Sequence, residues 1–420
     1  MSDHSLRRAV GRRAFLAGAA GAAGWAALSA SRGPGSPRLA RAAVTTAVPN
    51  PTTSVHLAGT DGWVSMPQGA PAIPPFWPDP LAPANANLYA FGFRDVTGMT
   101  AAQITAQRGK AQISAPMLSF DQETDIKITL TNLGLSQRPD LVDGHTVHWH
   151  GFRNAIPLFD GVPELSIAVP IGRDFTYFYR PHDPGTYMYH CHFEDVEHVQ
   201  MGMTGLVFVR PVQNKGTRDL PAGKYAYNCG DGSTRYDREF GFMFTEVWAE
   251  AHYRDAHIQT TDWTDYNPTF FAMNGRAYPD TLAPNGDPLK VPADPRLQYQ
   301  PISSLVTCNS GDRVLLRLAN LGYQNHAITV DGIDLTVIGK DASLLRGRDG
   351  TAQYTVTNTV EIGPGESRDV LFTAPNPGTY LLYDRDYRAL TNAGGGLGGQ
   401  MTEIRVSPKG TVPAQTKANA

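Results

Sequence analysis

Apolar and polar residues alternate one for one through many short stretches of this chain. AspIleLysIleThrLeuThrAsnLeu at 125–133 puts Ile126, Ile128 and Leu130 on one face of an extended segment, since side chains two apart share a face of a strand. LeuTyrAlaPheGlyPhe from Leu88, AlaProMetLeuSerPhe from Ala115, the run Glu239 to Phe244 and the run Asp312 to Gly322 read the same way. Before them, Thr45 to Asn87 is rich in Pro, Gly and Ala. With ProProPheTrpProAspPro at 74–80 it reads as an extended arm, regular structure beginning near Leu88. Pro211 to Tyr225 has linker composition, Asp280 to Pro301 is a Pro-rich loop, and residues 409–420 read as a disordered tail.

The second half repeats the first. ProGlyThrTyrMetTyrHisCysHis at 184–192 is echoed by ProGlyThrTyrLeuLeuTyrAspArg at 377–385, and the register holds without a gap back to Gly172 against Gly365. An all-β chain with two copies of one domain is expected: 88–211 and 239–408, joined by a linker at 212–238 and preceded by the arm at 43–87.

Composition agrees with that picture. Among 420 residues are 42 Gly and 32 Pro, as many turns between short strands require, and the length accommodates two cores. A net charge of −3 gives no reason to expect nucleic acid as a partner. Residues 1–42 read as a targeting segment: Arg12-Arg13 precede a small apolar run, Ala17 to Ala30, and Ala40-Arg41-Ala42 offers a cleavage pattern. The twin arginines point to export of a folded protein, to the periplasm or outside, and the run is too short for a membrane span.

Candidate chemistry is concentrated in two stretches, AspGlyHisThrValHisTrpHisGlyPhe at 143–152 and Tyr187 to Met203, which hold six of the twelve histidines. Strand parity sorts their side chains. His148 and His150 share one face and His145 takes the other; His190 and His192 share one face and Cys191 takes the other. Two sites follow. His145, Cys191, His198 and Met203 make the thiolate, two imidazoles and weak thioether of a copper electron-transfer centre, and His148, His150, His190 and His192 make an all-imidazole site for copper or zinc. Cys191 is bonded through the backbone to both flanking histidines, which gives electrons a short route between sites. If Cys191 holds metal, Cys229 and Cys308 remain, and a disulfide or two buried thiols are both open.

HisTrpHisGly at 148–151, and HisCysHis at 190–192 with His198 and GlyMet at 202–203, resemble the multicopper oxidases, and within them the two-domain laccase-like members with blue copper in the first domain. The resemblance implies two cupredoxin-like Greek-key sandwiches or barrels in tandem, copper, a small-molecule or metal-ion electron donor, dioxygen as acceptor, and a homotrimer. It argues against the related copper nitrite reductases, which have an Asp where this chain has His148 and no histidine where it has His192.

The second repeat departs from that pattern. It puts His326 on His145 and Met401 on Met203 but Asp384 on Cys191, so it offers no second blue site, and His326 and Met401 read as relics or packing residues. Where the family draws histidines from both domains, this one offers Thr329, Asp331, Tyr383 and Arg385. The expected function is an exported copper oxidase. Its alternative is a non-enzymatic electron-transfer or copper-binding protein that has lost the oxygen chemistry. His56, His182, His252 and His257 are expected at the surface or in hydrogen bonds, and Glu194, Asp195 and Glu197 as a solvated rim.

Overall fold

The computed structural model describes residues 53–420; the targeting segment read at 1–42 and the start of the arm lie outside them. Alternation does what the sequence asks: the Ile126–Asn132 strand buries every second residue. In the first domain one sheet has the order Leu88–Asp95, Thr53–Val64, Ile126–Asn132, Asp174–Tyr179. The other runs Leu118–Asp121, Thr204–Arg210, Gly185–His190, His148–His150. Trp149, Tyr177, Tyr187 and Tyr189 pack in the core with Phe91 and Phe93. Gly185–His190 is buried along its whole length, which holds the Cys191 segment at its end.

The second domain is built alike. Its larger sheet centres on Arg238–Val247, Arg313–Asn320 and Ser367–Thr373; its smaller one carries Met401–Ser407, Gly378–Asp384 and His326–Val330 side by side. The repeat survives at the level of register. His148 lies opposite His190 in the first domain, and Thr329 lies opposite Tyr383 in the second.

Three expectations need correction. Regular structure does not wait for Leu88: Thr53–Val64 is a twelve-residue strand pairing antiparallel with Leu88–Asp95 and parallel with Ile126–Asn132. Its two glycines and mixed polarity hide the period from sequence, because glycines there admit neighbouring groups that a side chain would exclude. The segment read as a linker is packed, with Ala226, Tyr227 and Tyr236 buried against Leu315, Ile338 and Leu371. The tail is anchored too. The side chains of Gln415 and Asn419 bond both N–H and C=O of Glu239 and Gly241, supplying that strand with partners a neighbouring strand would otherwise give.

Cys229 and Cys308 are free thiols, both buried; the Cys229 sulfur accepts from Thr234 Oγ1 at 3.2 Å and from Gln213 Nε2 at 3.3 Å. No described helix is long and apolar enough to cross a membrane.

Candidate metal centres

The first cluster closes around sulfur. Cys191 leaves its strand bonded to the Met203 carbonyl, and a short helix, Asp195–Gln200, returns the chain so that His198 faces it. Cys191 Sγ lies 3.2 Å from His198 Nδ1 and 3.9 Å from His145 Nδ1, and the Thr146 amide donates to it at 3.4 Å. Met203, fully buried, is tied to the same turn through its amide on the His198 carbonyl. Gly59, in the strand misread as an arm, makes the room. A Cβ there would stand 2.7 Å from the His145 ring and 3.3 Å from the Met203 methyl.

Charge at this cluster is already that of a ligand set. Burial would raise the Cys191 thiol, but the facing His198 and His145 rings hold it well below its ordinary value. Burial would lower His198, yet Cys191 and Asp143 bring it up to about 10. Each partner thus favours the other's charged form, and the thiolate is the form a soft cation binds. The outer nitrogens, Nε2 of His145 and of His198, are buried without a hydrogen-bond partner, the latter 3.5 Å from a carboxylate oxygen of Asp143. Asp143 sits in the motif AspGlyHis, and only its proximity to His198 in space marks it.

The second cluster points away from the core. His148, His150 and His190 bring one nitrogen each within 4.8 Å of the others. The His192 ring stands 5.1 Å from His148 and 5.5 Å from His190, at the edge of that group. Backbone carbonyls fix two tautomers: His148 Nδ1 donates to the Asp160 carbonyl at 2.6 Å and His190 Nδ1 to the Cys191 carbonyl at 2.8 Å, which leaves each Nε2 lone pair for the pocket. Burial lowers His148, His150 and, to about 3, His190, so the imidazoles stay neutral, the form in which they bind metal.

A cavity of about 360 Å³ opens over these rings. Its far wall is second-domain: Leu321, Gly322, Tyr323, Pro364 and Gly365, none with an ionisable donor other than the Tyr323 phenol. Thr329, Asp331, Tyr383 and Arg385 are elsewhere. Tyr383 donates to Asp331 at 3.0 Å on an exposed face, and Thr329 to the Asn358 carbonyl at 2.7 Å.

At the repeat position of the first cluster the second domain holds protons instead. His326 Nδ1 is 2.6 Å from Asp384 and Nε2 is 2.7 Å from Glu246, all three buried. His326 is therefore not a packing relic, and Glu246, which the repeat did not single out, is its partner. Of the remaining histidines, His252 is buried with Nδ1 on the Tyr89 carbonyl at 2.6 Å, His257 stacks on Tyr253, and His182 meets Glu123. Glu194 and Asp195 are exposed, whereas Glu197 is half-buried and raised by that burial, so it does not belong to a solvated rim.

Family profiles described as multicopper oxidase match residues 79–214 and 245–400, together more than half of the chain. The chain belongs to the multicopper oxidases. A laccase of Arabidopsis thaliana, Laccase-5, is 27% identical over 256 residues, 59% of this chain and 37% of that protein. Laccase-1 of Emericella nidulans is 36% identical over 98 residues, 23% of this chain and 14% of that one. The chain thus spans well under half the length of these curated relatives. A blue copper oxidase from Nitrosomonas europaea superimposes with a TM-score of 0.60 at 22% identity, covering 84% of this chain and 86% of the other, which assigns the two domains to the cupredoxin-like fold.

Proposed function

We propose that this multicopper oxidase is an exported copper-dependent oxidoreductase that takes single electrons at the site of His145, Cys191, His198 and Met203 and delivers them to a copper site at His148, His150, His190 and His192, where dioxygen is reduced. One observation carries the reading: Cys191 faces two Nδ1 atoms on one side of the strand while its neighbour His190 turns a free Nε2 to the other. Bound copper would supply one-electron redox chemistry between a donor and dioxygen. The chain's part is to hold the Cys191 sulfur against imidazole nitrogens, to exclude water from it, and to keep His148, His150 and His190 neutral with the tautomers of His148 and His190 fixed.

Donors of the phenol or metal-ion type would pass their electrons through the protein to the buried His198 ring, from the side of Asp143. Residues 1–42 serve as a twin-arginine signal, and the exposed Asp331 and Tyr383 face of one subunit meets the pocket of the next in a homotrimer. A second reading has its own support, since the second-domain wall of the pocket brings no histidine. On that reading the protein carries electrons through one blue copper and does not reduce dioxygen. Copper per chain, the visible spectrum and dioxygen uptake with a phenolic donor, taken together on the exported protein, decide between them. Several coppers and uptake above a free-copper control are expected; one intense blue copper without uptake would leave only the carrier.

A further inference from the structure

Behind the pocket wall stands a file of oxidisable rings. Tyr323 is in the wall itself. Its ring centre is 5.1 Å from that of Tyr266, Tyr266 is 5.8 Å from Trp248, and Trp248 is 6.0 Å from Trp263. Trp248 is buried, and Trp263 ends the file in a surface turn between exposed Asp262 and Thr264. Tyrosine and tryptophan rings give up one electron more readily than other aromatic side chains, and contacts this short pass it from ring to ring.

A phenol loses an electron readily only if its proton has somewhere to go. Tyr266 donates to Glu246 Oε2 at 3.0 Å, and Glu246 is the buried carboxylate whose other oxygen meets His326. The Tyr323 hydroxyl instead donates to the Val196 carbonyl, which cannot accept the proton. Tyr323 is therefore a bridge and Tyr266 the first stop. Gly322 keeps the two close: a Cβ there would stand 2.3 Å from both Glu246 oxygens, so the carboxylate is packed directly beneath the pocket wall.

We propose that Tyr323, Tyr266, Trp248 and Trp263 form a hole-transfer chain that carries a stray oxidising equivalent from the histidine pocket to the surface at Trp263, where a small aromatic reductant quenches it. It rests on the reading that oxygen is reduced in that pocket. The oxidant is a reactive, partly reduced oxygen species there. It takes one electron from Tyr266 across Tyr323; the Tyr266 O–H bond breaks and its proton moves to Glu246 Oε2. Trp248 then returns an electron to the tyrosyl radical, which recovers its proton from Glu246. Trp263 refills Trp248, and a phenol in solution gives its own electron to Trp263. One donor electron has then reduced the oxidant and the chain is unchanged.

The three native cysteines are buried, so a Thr264→Cys variant of the full chain can be labelled selectively with a ruthenium polypyridyl photo-oxidant beside Trp263. Flash oxidation is expected to give a tyrosyl radical by transient absorption and electron paramagnetic resonance. That signal should be lost with Tyr266→Phe and with Trp248→Phe, its rise should slow in D2O, and Glu246→Gln, which removes the proton acceptor, should suppress it. A tyrosyl yield unchanged by Trp248→Phe or by Tyr266→Phe overturns the chain. In a second arm, copper-loaded protein is treated with hydrogen peroxide and mapped by mass spectrometry. Oxidation at Trp263 that disappears in Trp248→Phe supports the pocket as the source. A conducting chain with Trp263 left unoxidised overturns the pocket as the source, whereas dioxygen uptake by the same preparation decides the oxidase reading separately.

Discussion

The two domains place the same strands around the same position and fill it with opposite chemistry. In the first, Cys191 and His145 face each other at 3.9 Å with His198 at 3.2 Å from the sulfur, and the outer nitrogen of each ring has no hydrogen-bond partner. In the second, Asp384 stands where Cys191 does and His326 where His145 does, but both ring nitrogens are closed by carboxylates at 2.6 and 2.7 Å. A ring bonded to two carboxylates must carry both protons, so no lone pair is left for a metal. Two residues, Asp384 in place of the sulfur and Glu246 at the far nitrogen, thus separate a pair of rings facing a thiol from a single ring closed by carboxylates.

Removing the sulfur should have the largest effect. Cys191→Ser is expected to abolish the intense blue absorption outright, because a hydroxyl is no thiolate donor, and copper analysis should show that site's metal lost. The reciprocal Asp384→Cys should give no blue band, since that sulfur would face one imidazole, His326, where Cys191 faces two. A blue band from that variant would show that the carboxylate alone had kept the second site from copper. Next in size is His326→Leu, which leaves two buried carboxylates without their cation and should cost about 3–5 kcal/mol in denaturant unfolding. The same triad gives a pH signature. Hydrogen bonds to Asp384 and Glu246, acting against burial, raise His326 from 6.5 to about 9. A folded-state value above the unfolded one means that its stabilisation is whole below pH 6.5 and is lost as pH climbs through about 9. Unfolding midpoints measured from pH 6 to 10 should fall over that window, and the fall should vanish in His326→Leu.

The first site was legible because strand parity needs only the order of residues. His145 and Cys191 on one side, His148, His150 and His190 on the other, follow from counting by twos, and the structure gathers nitrogens and sulfur in those groups. What parity could not supply was anything brought in by a distant segment. Glu246 reaches His326 across eighty residues, Asp143 reaches His198 across a loop, and Gly59 lines the sulfur site from a strand whose glycines erased its alternation. The repeat register did locate Asp384 and His326, yet it could not say whether they had partners. That information lies in Arg238–Val247, a strand of the opposite sheet that supplies Glu246.

The paired glycines Gly172 and Gly365 allow the smallest and most local comparison, since the repeat aligns them and both are left-handed, at φ 73° and 76°. Alanine at either position pays for that backbone conformation, about 1–2 kcal/mol, which unfolding would read in both variants. They differ in surroundings. Nothing lies within 4 Å of a Cβ on Gly172, whereas a Cβ on Gly365 would be 2.9 Å from His150 Nε2. Gly365→Ala should therefore also push the His150 ring from its place, and copper bound in the pocket should fall while the blue absorption of the Cys191 site is unchanged. Gly172→Ala should leave both metals as they were. Equal copper loss from the two variants would mean that the pocket responds to general loosening of the fold, and that the second-domain wall plays no part in shaping the space over the imidazoles.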